Sequence, residues 1–204
     1  QGIYINIVVN SVLKNIIYGG ILAILILIVF LKDIKPTFII AVSIPISIIF
    51  AVAMMYFTGV TINIISLAGL ALGVGMLVDN SIVVIENIYR LRNEGISAIK
   101  AAVEGAKEVS GAIMASTITT ACVFLPIVFT KGISRQLFTD MGLTIAYALF
   151  ASLIVALTLV PTMASTILKK TSFKENKTLD KFINVYENIL KWSLRHRALV
   201  MLLV

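Results

Sequence analysis

The chain has 204 residues, of which 59% are hydrophobic and 13% charged, and its mean hydropathy is +1.04. A soluble domain of this length cannot bury so much apolar surface, so the composition indicates an integral membrane protein or a piece of one. The net charge of +7 comes from Lys and Arg residues between the apolar runs, without interleaved aromatic residues, which favours membrane topology over nucleic-acid binding. The single cysteine, Cys122, excludes an internal disulfide bond, and no metal or cofactor is expected.

Five apolar runs predict five complete membrane spans, because about 20 apolar residues in helical rise cross the hydrocarbon core of a bilayer. The runs cover residues 16–31 (extending back as a helix to about residue 3), 37–57, 64–88, 109–129 and 141–168. Pro45, Pro126 and Pro161 each lie inside one of them, and membrane helices tolerate such prolines. The predicted connections are a charged turn at 32–36, an uncharged turn at 58–61, a charged connector at 90–107 and a polar loop at 130–139. The sequence therefore predicts an all-α, polytopic helical bundle over residues 1–170.

Beyond residue 170 the composition changes to that of a solvated linker. Within a predicted cytoplasmic segment, 171–197, apolar side chains at helical spacing over 179–194 indicate an amphipathic helix that lies flat on the membrane. A soluble amphipathic helix packed on a partner domain is the alternative. Residues 198–204 read as the start of a sixth span, so we expect the chain to be a fragment of a longer protein.

The distribution of Lys and Arg predicts the orientation of the bundle. If the first span runs inward, the segments 32–35, 90–107 and 169–197 are cytoplasmic, and they hold 14 of the 17 basic residues. The flat helix and the C-terminal end of the third span then lie on the cytoplasmic side.

Asp79 is the most informative residue of the third span. Nine residues separate it from the polar end at Tyr89, so it lies roughly 14 Å inside that end of the helix. An ionised carboxylate at that depth costs at least ~2.5–3.5 kcal/mol, so we expect Asp79 to face protein or water and to exchange protons. The alternative is a protonated aspartate that only hydrogen-bonds a neighbouring helix.

Further polar residues follow Asp79 along the same helix at a regular spacing. Glu86 follows after seven residues and shares nearly one face with Asp79, while Asn80 and Asn87 repeat that spacing on the adjoining stripe. This pattern suggests a proton path from the middle of the membrane towards the cytoplasm. Alternatively, Glu86 pairs with Arg90 at the headgroup boundary.

Small and hydroxyl-bearing residues complete the predicted site. Gly69 and Gly73 have the small-xxx-small spacing that lets another helix backbone approach closely. The fourth span carries a cluster of hydroxyl groups on Ser116, Thr117, Thr119 and Thr120. These groups can hydrogen-bond Asp79 if the helices touch, although bonds to their own helix backbone are the default.

The segments GVGMLVDNSIVVIENIYR, IMASTITTACVFLPIVF and SRQLFTDMGLTIAYALFASLIVALTLVPTMASTIL resemble the resistance-nodulation-division (RND) efflux transporters, closest to the hydrophobe/amphiphile (AcrB-like) branch. The resemblance covers nearly the whole chain. It implies spans two to six of the first half of the transporter, the flat linker helix and the start of span seven. By that pattern, the first span, the porter domains and the second half are expected to lie outside this sequence.

The resemblance also implies a function. It implies a proton-motive-force-driven antiporter in the bacterial cytoplasmic membrane that exports amphiphilic or hydrophobic small molecules and is not an enzyme. The complete protein is then expected to be a homotrimer. Undiminished efflux by an Asp79→Asn variant would contradict the role of Asp79.

One residue departs from the family pattern. Many drug-exporting relatives carry two adjacent aspartates that pair with a lysine from the second half; the first matches Asp79, but the second is Asn80, which cannot titrate. This implies one intramembrane carboxylate per protomer. Heavy-metal exporters of the family also keep one aspartate and are an alternative, whereas the LFTDMGLTI stretch is closer to drug pumps.

Three further classes of protein are alternatives. An RND-fold component of protein export shares the span architecture, but its signature around the aspartate differs. An intramembrane aspartyl protease needs a second membrane aspartate, and Asp33, Asp140 and Asp180 all lie in predicted loops or at span ends. A purely structural bundle predicts no pH response of the Asp79 carboxyl group.

Overall fold

A computed structural model of the chain describes residues 2–31, 33–128 and 131–170, together with Leu190, Lys191, Leu194 and Arg195. The described residues form the helices α1 (Gly2–Leu31), α2 (Ile34–Thr58), α3 (Ile64–Asn93), α4 (Ala98–Val128) and α5 (Ile133–Ile167), followed by a 3₁₀ turn at Leu168–Lys170. This part of the chain contains no strand, which confirms the predicted all-α class.

The chain divides into two compact units, residues 1–170 and residues 171–204, and the five helices belong to the first. Most of the predicted flat helix at 179–194, and all of the predicted span start at 198–204, lie outside the described residues.

Three helices in the described part of the chain are long and apolar enough to cross a membrane: α2, α3 and the segment Phe138–Ile167 of α5. A shorter apolar segment, Ile17–Ile28, belongs to α1. The chain is therefore a multi-pass membrane helical bundle, as predicted. Each of the five predicted spans corresponds to one helix, and the assignment of α1 and α4 as complete spans stays a prediction.

Two of the predicted connections are wrong, because they are largely helical. The charged connector at 90–107 continues α3 as far as Asn93 and begins α4 at Ala98, and the polar loop at 130–139 is helical from Ile133. Charged residues such as Arg, Lys and Glu are good helix formers, and the ion pair between Lys100 and Glu104 has the i,i+4 spacing that supports a helix. In these two segments, loss of hydropathy therefore does not mark the end of a helix.

The uncharged turn predicted at 58–61 is confirmed, whereas the charged turn predicted at 32–36 is already helical from Ile34. Asp33 caps the N-terminus of α2 by accepting a 3.0 Å hydrogen bond from the backbone N–H of Lys35. At the other end of α2, Gly59 has φ of 73°, which a glycine adopts without a steric penalty. Asn63 and Ser66 then form a reciprocal capping box that starts α3.

Helix α3 is the centre of the bundle, because it contacts each of the other four helices. A Cβ atom built on Gly69 would lie 2.9 Å from the carbonyl oxygen of Met141 on α5, and one built on Gly73 would lie 3.0 Å from the Cβ of Ala148. The predicted close helix approach at this glycine pair is thus confirmed, and the partner is α5. A second close approach joins Gly105 of α4 to Ile88 of α3 and was not predicted.

Polar contacts bind α3 to its neighbours at both ends. At the end where α3 leads into α4 (the Arg90 end), the Tyr89 hydroxyl donates to the Asp33 carboxylate over 3.2 Å. At the opposite end (the Asn63 end), the Asn63 amide donates to the Asp140 carboxylate of α5 over 2.8 Å. The charge-based orientation predicts that the Arg90 end is cytoplasmic.

Arg92 closes the C-terminus of α5. Its guanidinium Nε and Nη2 donate to the carbonyl oxygen of Leu168 over 3.2 and 3.0 Å, and Nη1 donates to the carbonyl oxygen of Ile96. In the intact protein, Arg92→Lys is expected to lose the forked contact and roughly 1–2 kcal/mol of local stability. Hydrogen-exchange mass spectrometry should show faster amide exchange over residues 165–170.

Arg90→Lys is the matched control for that prediction. Arg90 pairs with Glu94 and Glu108, and all three side chains are about half exposed, so the pairs contribute little to stability. Exchange at 165–170 should therefore stay as in the unaltered protein. Equal exchange in both variants would contradict the capping role of Arg92.

Candidate functional site

Asp79 lies at the middle of α3. It follows Ile64 by 15 residues and precedes Asn93 by 14, which places it about 20 Å from either end of the helix. Its side chain is exposed at the surface of this chain, where it borders two cavities. Among the described residues, none forms a hydrogen bond or an ion pair with its carboxylate.

The first cavity is polar and has a volume of about 300 Å³. It lies where α3, α4 and α5 meet, and it brings together most of the polar residues that the sequence singled out. Its lining consists of Gly75, Met76, Asp79, Asn80, Ser116, Thr117, Thr120 and Leu149. A polar space of this size has room for several water molecules.

The second cavity has a volume of about 350 Å³ and lies between α1 and α3, on the other side of Asp79. Asp79 is the one ionisable residue in a lining that is otherwise apolar. Three of the lining residues are glycines, and a Cβ atom built on Gly19, Gly20 or Gly75 would meet nothing within 4 Å. The carboxylate therefore stands at the boundary between a polar and an apolar cavity.

Asn80, in contrast, is buried and turned towards α4 and α5. Its amide nitrogen lies 3.3 Å from the Thr117 hydroxyl and 3.5 Å from the Ser152 hydroxyl, and its amide oxygen lies 3.5 Å from the Thr117 hydroxyl. The Ser152 hydroxyl also donates a 2.7 Å hydrogen bond to the carbonyl oxygen of Leu77. Asn80 thus lies at a polar junction of three helices.

The hydroxyl groups of α4 differ in their hydrogen-bond partners. Thr119 and Thr120 donate to the carbonyl oxygens of Ala115 and Ser116 in their own helix, over 2.8 and 2.9 Å. That is the predicted default for such residues. Thr117 is buried and bonds α3, but its partner is Asn80 and not Asp79. Ser116 and Thr120 line the polar cavity beside Asp79.

The second half of the predicted stripe, Glu86 and Asn87, lies nearer the Arg90 end. Glu86 is exposed, whereas Asn87 is half-buried and donates to the carbonyl oxygen of Gly105 and to Glu108 of α4, over 2.8 and 2.9 Å. Arg90 forms ion pairs with Glu94 and Glu108, so within the described residues the alternative pairing of Glu86 with Arg90 is wrong.

The remaining aspartates of the described residues lie far from Asp79. Asp33 is bonded to Tyr89, about 15 Å further along α3, and Asp140 is bonded to Asn63, about 24 Å before Asp79. Asp180 lies outside the described residues. A two-aspartate protease site therefore has no support in the described part of the chain. The same residues contain no group of three His, Cys, Asp or Glu side chains placed to hold a metal ion.

Two polar contacts of this region escaped the sequence reasoning. Ser152 on α5 stands alone in an apolar run, and nothing in its spacing identifies Asn80 as its neighbour. Ser43 of α2 is buried with its hydroxyl 3.1 Å from that of Ser81, one residue beyond Asn80. In the sequence, each of these residues is only a single serine within an apolar span. Such serines are common, so they do not by themselves identify a polar contact.

Comparison with known proteins agrees with the helical architecture. The family model of the AcrB/AcrD/AcrF family matches residues 1–204. The swarming motility protein SwrC of Bacillus subtilis (strain 168) is 40% identical over 198 residues, which cover 93% of this chain and 19% of SwrC. The multidrug resistance protein MdtC of Escherichia coli (strain K12) is 35% identical over 198 residues, which cover 94% of this chain and 19% of MdtC. The chain spans 19% of the length of each of these relatives. It belongs to the AcrB/AcrD/AcrF family of RND transporters.

Proposed function

We propose that this chain is the membrane part of the first half of a proton-driven efflux transporter, with Asp79 as the proton carrier. Membership of the AcrB/AcrD/AcrF family supports efflux, and the name of the relative MdtC supports drugs or other amphiphilic small molecules as substrates. The complete transporter is proposed to act as a homotrimer in the bacterial cytoplasmic membrane.

The position of Asp79 is the observation that carries the proposal. A carboxylate at the middle of a membrane-crossing helix is unfavourable in lipid, so it needs water, protein or a cation around it. Here Asp79 borders a cavity lined by hydroxyl groups on one side and an apolar cavity on the other. Such a carboxylate is neutral when a proton is bound and charged after the proton is released. The charged form needs more hydration than the neutral form, and a proton-driven conformational change requires such a difference between the two forms.

The exposed side of Asp79 is proposed to be covered by the second half of the transporter. The resemblance to drug exporters implies a lysine there, and a cation beside the carboxylate favours its ionised form. Approach of the lysine then releases the proton, and its withdrawal permits reloading. Both steps need the complete protein, so this chain alone is not expected to transport.

Glu86 is proposed as a relay between Asp79 and the Arg90 end. It lies seven residues, or about 10 Å, further along α3, and both carboxylates are exposed on nearly the same face. Asn87 is fixed by α4 and Asn80 by the three-helix junction, so neither is assigned a proton-carrying step.

Asn80 supports a second candidate function. Because heavy-metal exporters of the family also keep one aspartate, export of a metal cation is the alternative for the substrate class. Export of amphiphilic molecules and export of metal cations would both use proton coupling through Asp79. Transport assays with an amphiphilic dye and with a divalent metal ion distinguish the two substrate classes.

Infrared difference spectroscopy of the complete transporter tests the proposed proton carrier. A pH change should alter a protonated-carboxyl band, and that change should be missing from the Asp79→Asn variant. The Asp140→Asn variant serves as the control, since Asp140 lies at the Asn63 end. A pH response that is identical in the Asp79→Asn variant and the unaltered protein would favour the purely structural bundle.

A further inference from the structure

We propose that Asn80 is a positioning residue: by joining α3 to α4 and α5, it fixes the rotation of α3 that presents Asp79 to the polar cavity. This inference rests on the proposed role of Asp79. Asn80 itself exchanges no proton, because an amide does not titrate.

Helix geometry couples the two residues. Successive residues of an α-helix are turned by about 100°, so the direction in which residue 80 points determines where residue 79 points. Asn80 is held by the Thr117 hydroxyl at 3.3 Å and by the Ser152 hydroxyl at 3.5 Å, on two different helices. With that side chain fixed between α4 and α5, the Asp79 carboxylate is turned outwards to the boundary of the two cavities.

At the level of Asp79, the bond between α3 and α5 is directional. Gly69 and Gly73 approach α5 without side chains of their own, so their contacts are van der Waals contacts of backbone and methyl groups. The Ser152 hydroxyl, in contrast, bonds the carbonyl oxygen of Leu77 over 2.7 Å and lies 3.5 Å from the amide nitrogen of Asn80. These hydrogen bonds therefore add a directional restriction on the rotation of α3 to the close packing at the glycines.

An amide suits this task because its hydrogen bonds do not depend on proton binding. The side chains that share the polar cavity with Asn80 from α4 and α5 are Ser116, Thr117, Thr120 and Leu149, all uncharged, so Asp79 is the titratable group there. The carboxylate can therefore change charge during transport while the junction beside it keeps the same donors and acceptors. In this chain, positioning and proton exchange belong to two adjacent residues.

The test uses the complete transporter and two readouts: efflux across a range of pH, and the rate at which a hydrophobic carbodiimide modifies Asp79. Asn80→Leu keeps the size of the side chain but removes its hydrogen bonds. We expect it to lower efflux about tenfold and to change the carbodiimide rate several-fold, with the folded yield kept. Thr158→Val is the control: the Thr158 hydroxyl donates to the carbonyl oxygen of Ile154 in its own helix α5 and bonds no other helix among the described residues, so both readouts should stay unchanged.

Conservative and partner variants keep the proposal testable if Asn80→Leu fails to fold. Thr117→Val and Ser152→Ala each remove one partner of Asn80 and should change both readouts in the same direction, by less. Asn80→Asp should restore efflux at acidic pH, where the new carboxyl is protonated and still donates a hydrogen bond. Its efflux relative to the unaltered protein should fall as the pH rises, because the ionised form has lost that donor.

Two outcomes would overturn the inference. If Asp79→Asn abolishes efflux but the Asn80, Thr117 and Ser152 variants match Thr158→Val in both readouts, the positioning role fails and the proposed function stands. If Asp79→Asn transports normally, the proposed function fails and the positioning role fails with it.

Discussion

Replacement of Asp79 by asparagine in the complete transporter is expected to abolish proton-driven efflux and to leave assembly intact. Asparagine has nearly the same shape as aspartate but cannot bind and release a proton. No described residue of this chain bonds the Asp79 carboxylate, so the substitution removes no hydrogen bond or ion pair within the described bundle. Dye efflux from energised cells or proteoliposomes should fall to the background rate, with an unaltered oligomer on size-exclusion chromatography.

Two variants accompany this experiment. Asp140→Asn changes a carboxylate that bonds Asn63 at the far end of α3, and it should keep efflux. Glu86→Gln distinguishes a relay from a surface residue: a relay should give partial loss, and a surface residue none. Efflux by Asp79→Asn at the rate of the Asp140→Asn control would remove the proton-carrying role.

The second large effect is expected from Gly69→Ala. The added methyl group would lie 2.9 Å from the carbonyl oxygen and 3.0 Å from the Cγ of Met141, and the backbone oxygen cannot move without displacing α5. Overpacking of this kind destabilises proteins by typically ~1–3 kcal/mol. The thermal unfolding temperature and the folded yield of the purified transporter should both fall.

Gly75→Ala provides the comparison on the same helix. A Cβ atom built on Gly75 meets nothing within 4 Å, so the methyl group enters open space and alanine favours the helix by up to ~1 kcal/mol. Its unfolding temperature should equal or exceed that of the unaltered protein. If the two alanine variants unfold at the same temperature, the close approach of α3 and α5 at Gly69 is not a stability determinant.

Hydropathy in the sequence predicted the helical bundle well. The apolar run 64–88 locates the start of α3 to the residue, since α3 begins at Ile64, directly after the cap at Asn63 that the structure shows. The charged connector was misread because the same Arg, Lys and Glu residues that end a membrane span also extend a helix into water. Hydropathy does not distinguish those two cases.

The sequence predicted which residues belong to the candidate site, but not which of them hydrogen-bond each other. The sequence identified both Asp79 and Asn80 as intramembrane polar residues, and helical periodicity placed them on adjoining stripes. Which stripe faces the interior depends on the tertiary contacts of α3, and these bury Asn80 against Thr117 and leave Asp79 at the cavities. A pairing such as Asn80 with Ser152 joins residues 72 apart in the chain, which periodicity within one helix does not reveal.

The hydrogen bonds at the two ends of α3 have a consequence for how the bundle moves. Tyr89 holds one end to the start of α2, and Asn63 holds the other to α5. A tilt or axial shift of α3 must therefore either break one of these bonds or carry α2 and α5 along. Under the proposed role of Asp79, force generated at the midpoint of α3 is therefore delivered to both ends of the helix together.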